Sequence, residues 1–224
     1  MRSLDCYSCL IFDCDGVVLD SNRIKTEAFR QAALPWGEAA ADALADYHVA
    51  RGGVSRYVKF RHFLDRIVPD RATADEGPGL EAMLETFSKS VRAGMMSCAA
   101  AEGLAELRAA TPDARWLIVS GGDQVELRQI FETRGLAPYF DGGIFGSPDT
   151  KDKILQHQIA AGNIQCPALF LGDTRYDHEA SCRAEIDFCF VSGWTEFADW
   201  REYVAHHDIY EIRRPADLLS TDAS

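Results

Sequence analysis

The sequence carries little positive charge for its length. Its 224 residues include 23 Lys and Arg against 35 Asp and Glu, which gives a formal net charge of −12. An acidic surface repels nucleic acid and anionic lipid headgroups over most of its area, so neither is predicted as a partner. An anionic substrate would therefore need a local basic pocket or a bound metal ion.

A regular cysteine framework and long apolar runs are also missing. The seven cysteines are scattered, and only Cys6 and Cys9 are closely spaced. Without a second Cys or His pair at ligand spacing, we expect free thiols rather than disulfides or a zinc site. No run approaches the ~18 apolar residues of a membrane span, and the first residues lack the apolar stretch of a signal peptide. These absences predict a cytoplasmic protein. We expect it to be either a monomer or a dimer.

The patterns that are present indicate an α/β fold. Apolar residues make up 47% of the chain, and a first apolar strand near residues 8–13 is followed by helical patterns alone. Later, short apolar strands alternate with helices, as in a parallel sheet covered on both faces. We therefore predict a Rossmann-like, doubly wound parallel sheet with a helical cap inserted after the first strand. The core would comprise residues 1–18 and 97–224, and the cap residues 19–96.

Polar side chains stand where the predicted strands end. Asp13 and Asp15 follow the first strand, Ser120 ends "RWLIVSGG", and Asp173 ends "ALFLGD". Each could be a helix cap or a turn residue. In a parallel sheet, however, the carboxyl ends of the strands meet at one edge, where ligands bind. Carboxylates crowded there repel one another unless a cation lies among them, which predicts Mg²⁺ with a phosphate beside it.

A phosphate also needs a monovalent cation, and the segment "GSPDTKDK" offers two. Lys151 and Lys153 both lie at the start of a predicted helix. Either could face the site, and the alternative for each is a solvated helix surface. The spacing alone does not decide between them.

Four motifs follow one another in a recognisable order. They are Asp13-Cys14-Asp15-Gly16-Val17, Ser120 in "LIVSG", Lys151 in "GSPDTK", and Asp173 with Asp177 in "GDTRYD". In this order they resemble the motifs of phosphatases of the haloacid dehalogenase superfamily. The resemblance is to the branch of β-phosphoglucomutase and phosphoglycolate phosphatase, which has a helical cap, and it spans residues 13–177.

The resemblance implies catalytic roles for four of these residues. Asp13 would be the nucleophile that forms an aspartyl-phosphate. Asp15 would protonate the leaving alcohol and then accept a proton from the attacking water. Ser120 would hydrogen-bond the phosphoryl oxygens, and Lys151 would neutralise them and orient the nucleophile.

The resemblance also implies Mg²⁺ as the cofactor. Asp13, Asp173 and the carbonyl of Asp15 would hold the ion, and Asp177 would support either the metal shell or the lysine. The aspartate at position 15 narrows the reaction further, because dehalogenases and phosphonate-cleaving members of the superfamily lack an Asp at that place. Phosphate ester chemistry is therefore predicted.

The predicted cap contains further candidates for substrate binding. The segment "GGVSRYVKF" resembles a cap loop in which an arginine, here Arg56, meets a distal anion of a sugar phosphate. Arg51 is the alternative to Arg56, and an exposed arginine at a helix start is the plainer interpretation of the pattern. Lys25 stands where related mutases carry a catalytic His. Cys14 and Gly121, inside the motifs, complete the predicted substrate contacts.

Together these residues predict a Mg²⁺-dependent phosphomonoesterase that acts on a small phosphorylated metabolite, such as a sugar or sugar-acid phosphate. One alternative is a phosphosugar mutase similar to β-phosphoglucomutase. A second alternative is a catalytically idle binding subunit that keeps the fold.

Overall fold

A six-stranded parallel sheet forms the centre of the protein in the computed structural model, which describes residues 2 to 220. The strands lie in the order β3-β2-β1-β4-β5-β6, and every neighbouring pair is parallel. Their bounds are β1 Cys9–Phe12, β2 Arg115–Asp123, β3 Gly143–Ser147, β4 Ala168–Gly172, β5 Asp187–Val191 and β6 Tyr210–Ile212. The first strand is central, so its carboxyl end lies between those of β2 and β4.

Ten α-helices connect or flank these strands within the described residues. They are α1 Asn22–Ala33, α2 Glu38–Ala50, α3 Arg56–His62, α4 Val68–Arg71, α5 Leu80–Ser97, α6 Leu104–Ala110, α7 Gln124–Thr133, α8 Lys151–Ala160, α9 Arg175–Arg183 and α10 Trp200–His206. Short 3₁₀ segments add Leu4–Cys6, Leu34–Trp36, Ala137–Tyr139 and Pro215–Ser220. A single π-helical segment, Phe63–Ile67, joins α3 to α4. None of these helices is long and apolar enough to cross a membrane.

Burial on both faces explains why the central strand is an unbroken apolar run. All four residues of β1 are fully buried. Phe12 faces one apolar cluster with Trp116, and Ile11 faces a second cluster with Phe170 on the other side of the sheet. A strand covered on both faces needs apolar residues at every position rather than at alternate ones. The predicted fold class, a doubly wound parallel sheet, is confirmed.

The helices α1 to α5 form one packed unit, which we call the helical insert. Its centre is Phe29 on α1, whose ring centroid lies 5.0 Å from that of Phe60 and 4.3 Å from that of Phe87. These rings come from α1, α3 and α5, so they tie three helices together. The division into a core (1–18 and 97–224) and a cap (19–96) stays a prediction, and residues 1 and 221–224 lie outside the described residues.

Candidate active site

Asp13 lies at the carboxyl end of β1 and is only 3% exposed. Its Oδ1 accepts a hydrogen bond from the Cys14 N–H at 2.7 Å, and its Oδ2 lies 2.8 Å from the Lys151 Nζ. Burial and the nearby charges of Asp177 and Asp15 raise the pKa of Asp13 to about 7. The positive charge of Lys151 offsets only part of this rise. The lysine therefore holds a strongly desolvated carboxylate in place at the strand end.

Asp15 has different partners from Asp13, and they come from the start of the helical insert. The Ser21 hydroxyl donates to its Oδ1, and the Lys25 ammonium donates to its Oδ2. Burial acts to raise the pKa of Asp15, but the charge and hydrogen bond of Lys25 outweigh burial and lower it. The resting carboxyl group is therefore ionised, which suits a base. It acquires acid character once the negative charge of a phosphate enters beside it.

Three carboxylates, that of Asp13 among them, converge at this edge of the sheet. Asp13, Asp173 and Asp177 each place an oxygen within 4.8 Å of the others. The Asp173 Oδ1 is buried and, among residues 2 to 220, has no hydrogen-bond partner. Burial and the charges of Asp13 and Asp177 raise the pKa of Asp173 well above its usual value. A buried, unpartnered carboxylate oxygen among like charges fits a hard cation, so these residues fit Mg²⁺.

The turn after β1 brings Asp173 close to the backbone. Gly16 has a φ of +75°, and a Cβ there would lie 2.2 Å from the Asp173 Oδ2. Only glycine allows both the left-handed turn and this approach. Asn22, at the start of α1, donates to the same oxygen at 2.7 Å, which leaves Oδ1 to face the other carboxylates.

Lys151 rather than Lys153 lies in the site. Lys151 is 1% exposed and pairs with both Asp13 and Asp177, whereas Lys153 is exposed on the outside of α8. The second oxygen of Asp177 accepts from the Thr174 hydroxyl and N–H in a capping box at the start of α9. Asp177 thus supports the lysine, and its role as a metal ligand stays a prediction.

The end of β2 differs from the sequence-based expectation. The strand continues past Ser120 to Asp123, with a register shift against β3. Ser120 is fully buried, and its hydroxyl accepts from the Gly122 N–H at 3.1 Å. A Cβ on Gly121 would lie 2.2 Å from the Gly53 carbonyl oxygen, so the helical insert packs directly on this strand end.

Cys14 occupies a different position from the other predicted contacts. Its side chain is fully buried within an apolar cluster, and burial raises the pKa of its thiol well above the usual value. Only its backbone N–H reaches the site, where it bonds to Asp13. Any contact of Cys14 with substrate would therefore be through the backbone.

A cavity of about 770 Å³ lies between the sheet edge and the helical insert. Asp13, Asp15 and Asp173 line its floor, and the insert contributes charged residues and the apolar side chains of Phe29 and Phe87. This volume is typical of sites for small molecules. Two of the four catalytic candidates, Asp13 and Asp15, therefore line the same cavity as the insert.

Besides Lys25, two further predicted cations of the insert line this cavity. Arg56 is 7% exposed and pairs with Glu126 at 2.8 Å and with Asp123 at 3.4 Å, so its charge is already balanced by the core. Arg51 is exposed and ends α2. Ser55 precedes α3 without a side-chain cap. Arg56 is thus buried, whereas the plainer interpretation of the sequence predicted an exposed arginine at the start of a helix.

Lys59 and His48 were not singled out from the sequence, yet both line the cavity. The Lys59 Nζ lies 2.6 Å from the His48 Nδ1. The spacing on α3 offered a signal, because residues 56, 59 and 60 share one helix face and all three are buried. A lysine on a short polar helix is usually exposed, so this spacing did not lead us to predict that Lys59 is buried.

Comparisons with known proteins agree with this geometry. A family model described as haloacid dehalogenase-like hydrolase matches residues 7–180. No curated protein matches the chain significantly.

Solved structures share the fold over nearly the whole chain. A predicted phosphoglycolate phosphatase from Haemophilus somnus has a TM-score of 0.75 at 14% identity, covering 97% of this chain and 99% of that one. A predicted phosphatase from Clostridium acetobutylicum has a TM-score of 0.68 at 18% identity, covering 96% and 97%. YfnB from Bacillus subtilis, solved bound to magnesium, has a TM-score of 0.66 at 16% identity, covering 97% and 99%. At such identities the likeness shows a common fold.

Proposed function

The chain belongs to the haloacid dehalogenase-like hydrolases, and from that premise we propose that it is a Mg²⁺-dependent phosphomonoesterase acting through an aspartyl-phosphate. Its substrates are small phosphorylated metabolites, of the class of sugar and sugar-acid phosphates. The observation that carries the proposal is the buried cluster of Asp13, Asp173 and Asp177 around Lys151. Such a cluster suits a metal ion and a phosphoryl group together.

The first half-reaction transfers the phosphoryl group to Asp13. A carboxylate oxygen of Asp13 attacks phosphorus, an O–P bond forms, and the bond from phosphorus to the substrate oxygen breaks. Asp15 takes up a proton from solvent as the phosphate enters beside it, and it donates that proton to the departing alkoxide, so the product leaves as an alcohol. Lys151 and the Ser120 hydroxyl stabilise the charge on the phosphoryl oxygens.

The second half-reaction hydrolyses the acyl phosphate. Asp15, now a carboxylate beside Lys25, takes a proton from water, and the oxygen of that water attacks phosphorus. The bond from phosphorus to Asp13 breaks and inorganic phosphate leaves. Asp13 is then a carboxylate again, and Asp15 releases its proton to the departing phosphate or to solvent and returns to the ionised form. The lowered pKa of Asp15 favours the carboxylate that this step requires.

Asp13, Asp173 and the Asp15 carbonyl would hold Mg²⁺. The ion supplies charge neutralisation of the carboxylates and of the transferring phosphoryl group. The burial of Asp13, Lys151 and Asp173 strengthens each of these electrostatic contacts, because little water screens them.

The direct test of this function is phosphate release by the purified protein from a panel of phosphorylated metabolites and from p-nitrophenyl phosphate. We expect hydrolysis that requires Mg²⁺ and stops when the ion is chelated. A folded protein that releases no phosphate from any ester with Mg²⁺ present would contradict the proposal and favour the idle binding subunit.

Replacing Asp15 with asparagine is expected to affect substrates unequally. Loss of general acid catalysis costs ~10²- to 10⁴-fold, and most where the leaving group is poor. We therefore expect a larger loss of kcat for alkyl phosphates than for p-nitrophenyl phosphate, whose phenolate leaves without a proton. Equal losses on both substrates would argue against the acid role, and Asp42→Asn on the surface of α2 is the control.

Arg56 was predicted to bind a distal anion, and that role remains part of the proposal. Its present partners suggest an additional consequence of Arg56→Ala, because Glu126 would be left unpaired in the cavity wall. We expect KM to rise by ~10-fold or more for every anionic substrate, taking 1.5–3 kcal/mol for a charge-assisted contact. Steady-state kinetics with p-nitrophenyl phosphate and with the best metabolite measure this. A larger rise for the metabolite than for p-nitrophenyl phosphate would support the contact with a distal anion, and no rise for either substrate would contradict both roles.

A further inference from the structure

Lys59 is a buried cation at the wall of the active-site cavity. The residue is 1% exposed, and its Nζ lies 2.6 Å from the His48 Nδ1 and 3.4 Å from the His48 carbonyl oxygen. The Phe29 ring lies 5.4 Å away on one side. The amine is thus fixed in position by α2 and α3.

No carboxylate among residues 2 to 220 forms an ion pair with Lys59, and its only hydrogen-bond partner there is His48. The other buried cations at the site differ in this respect. Lys25 pairs with Asp15, Lys151 with Asp13 and Asp177, and Arg56 with Glu126. A buried amine without a counter-charge is costly to protonate, so the ammonium form of Lys59 is favoured when an anion enters the cavity beside it.

The electrostatics of the surroundings agree with this. Burial and the charges of Lys25 and Lys151 together lower the pKa of Lys59 to about 7, against the opposing charges of Asp15 and Glu196. Burial and Lys59 lower the pKa of His48 well below its usual value, so the ring is neutral and its Nδ1 accepts from the amine. An arriving anion would favour the ammonium form.

We propose that Lys59, held by His48, determines specificity by binding a carboxylate of the substrate while the phosphate lies against Asp13. This inference rests on the proposed function and names its substrate class, the phosphorylated carboxylic acids. A neutral sugar would leave the amine without a counter-charge. A second phosphate would bring more negative charge than one ammonium balances beside the apolar rings of Phe29 and Phe87.

Binding measured without turnover tests this proposal. The Asp13→Asn protein, saturated with Mg²⁺, is titrated calorimetrically with two pairs of esters that differ in the carboxylate. These are phosphoglycolate against ethyl phosphate, and 3-phosphoglycerate against glycerol 3-phosphate. We expect the carboxylate member of at least one pair to bind ~10- to 100-fold more tightly, the range for a charge-assisted hydrogen bond.

Adding Lys59→Met should remove that preference, because methionine keeps the apolar stem and deletes the amine. Lys89→Met is the matched control, since Lys89 is a solvent-exposed lysine of α5 with a side chain 76% exposed. Lys59→Arg keeps the positive charge and should retain part of the preference. If the methionine variant does not fold, Lys59→Gln replaces it in the same titrations.

A second readout separates binding from a structural role. Titration at about pH 8 in buffers of different ionisation enthalpy should reveal proton uptake with the carboxylate ligand, because Lys59 is largely neutral there until the anion binds. The uptake should disappear in Lys59→Met. Absence of a carboxylate preference in both pairs, or equal weakening of both members by Lys59→Met, would overturn the proposal. The binding titrations need no turnover, so their outcome is distinct from that of the phosphate-release assay. A failure to release phosphate would contradict the proposed phosphatase activity but not the carboxylate-binding role of Lys59.

Discussion

Asp13→Asn is expected to lower turnover by on the order of 10³-fold or more while leaving the protein folded, since loss of a nucleophile has effects of this size or larger. Asparagine keeps the shape of the side chain but has no anionic oxygen to attack phosphorus. It also removes one of the two carboxylates paired with Lys151. The remaining pair with Asp177 keeps that lysine in place.

The measurement is kcat for p-nitrophenyl phosphate and for the best metabolite, together with thermal unfolding of the same preparations. Asp149→Asn is the matched control, because Asp149 is exposed next to the site segment at the start of α8. The covalent mechanism would be contradicted by near-normal turnover in Asp13→Asn. Loss of activity together with loss of the folded state would instead indicate a structural role.

Asp173→Asn is expected to abolish the response to Mg²⁺ without destabilising the metal-free protein. Burial and the neighbouring carboxylates raise the pKa of Asp173, so its charge is unfavourable unless a cation is present. Neutralising it relieves that crowding. Without the Asp173 carboxylate to bind Mg²⁺, however, the protein should lose the stabilisation that the bound ion provides. That stabilisation is ~2.7 kcal/mol at a free Mg²⁺ concentration of 100 times Kd.

Thermal unfolding with and without Mg²⁺ tests this, alongside activity. For the unmodified protein we expect Tm to rise with Mg²⁺, and for Asp173→Asn no rise and a loss of hydrolysis. Asp149→Asn should behave as the unmodified protein does. If Asp173→Asn lowered the stability of the metal-free protein but still responded to Mg²⁺, Asp173 would have a structural role rather than that of a ligand.

The sequence was sufficient to predict the fold class and the convergence of the strand ends. An unbroken apolar run such as β1 indicates burial on both faces, and parallel strands bring Asp13 and Asp173 to one edge. The choice between Lys151 and Lys153 could not be made in this way. Two residues apart on a helix, side chains point roughly 200° apart, and only the packing of α8 on the sheet decides which one faces inward.

The contacts that the helical insert makes could not be predicted from the sequence for a different reason. Arg56 pairs with Glu126, which lies 70 positions later in the chain. No local sequence pattern predicts a contact over such a separation. Lys59 was missed because lysine is ordinarily a surface residue, and its burial follows from the packing of α3 against α1 and α5. Local patterns fixed the helices approximately, but the partners of their charged side chains depend on how the insert covers the sheet.

The central claim is that Asp13 carries the phosphoryl group during turnover. Acid quench during steady-state hydrolysis, followed by borohydride reduction, converts an aspartyl-phosphate to homoserine, which peptide mass spectrometry can locate. We predict homoserine at position 13, dependent on both substrate and Mg²⁺, and absent from Asp13→Asn. Active hydrolysis with unmodified Asp13 in every quenched sample, or homoserine at another aspartate, would contradict the account.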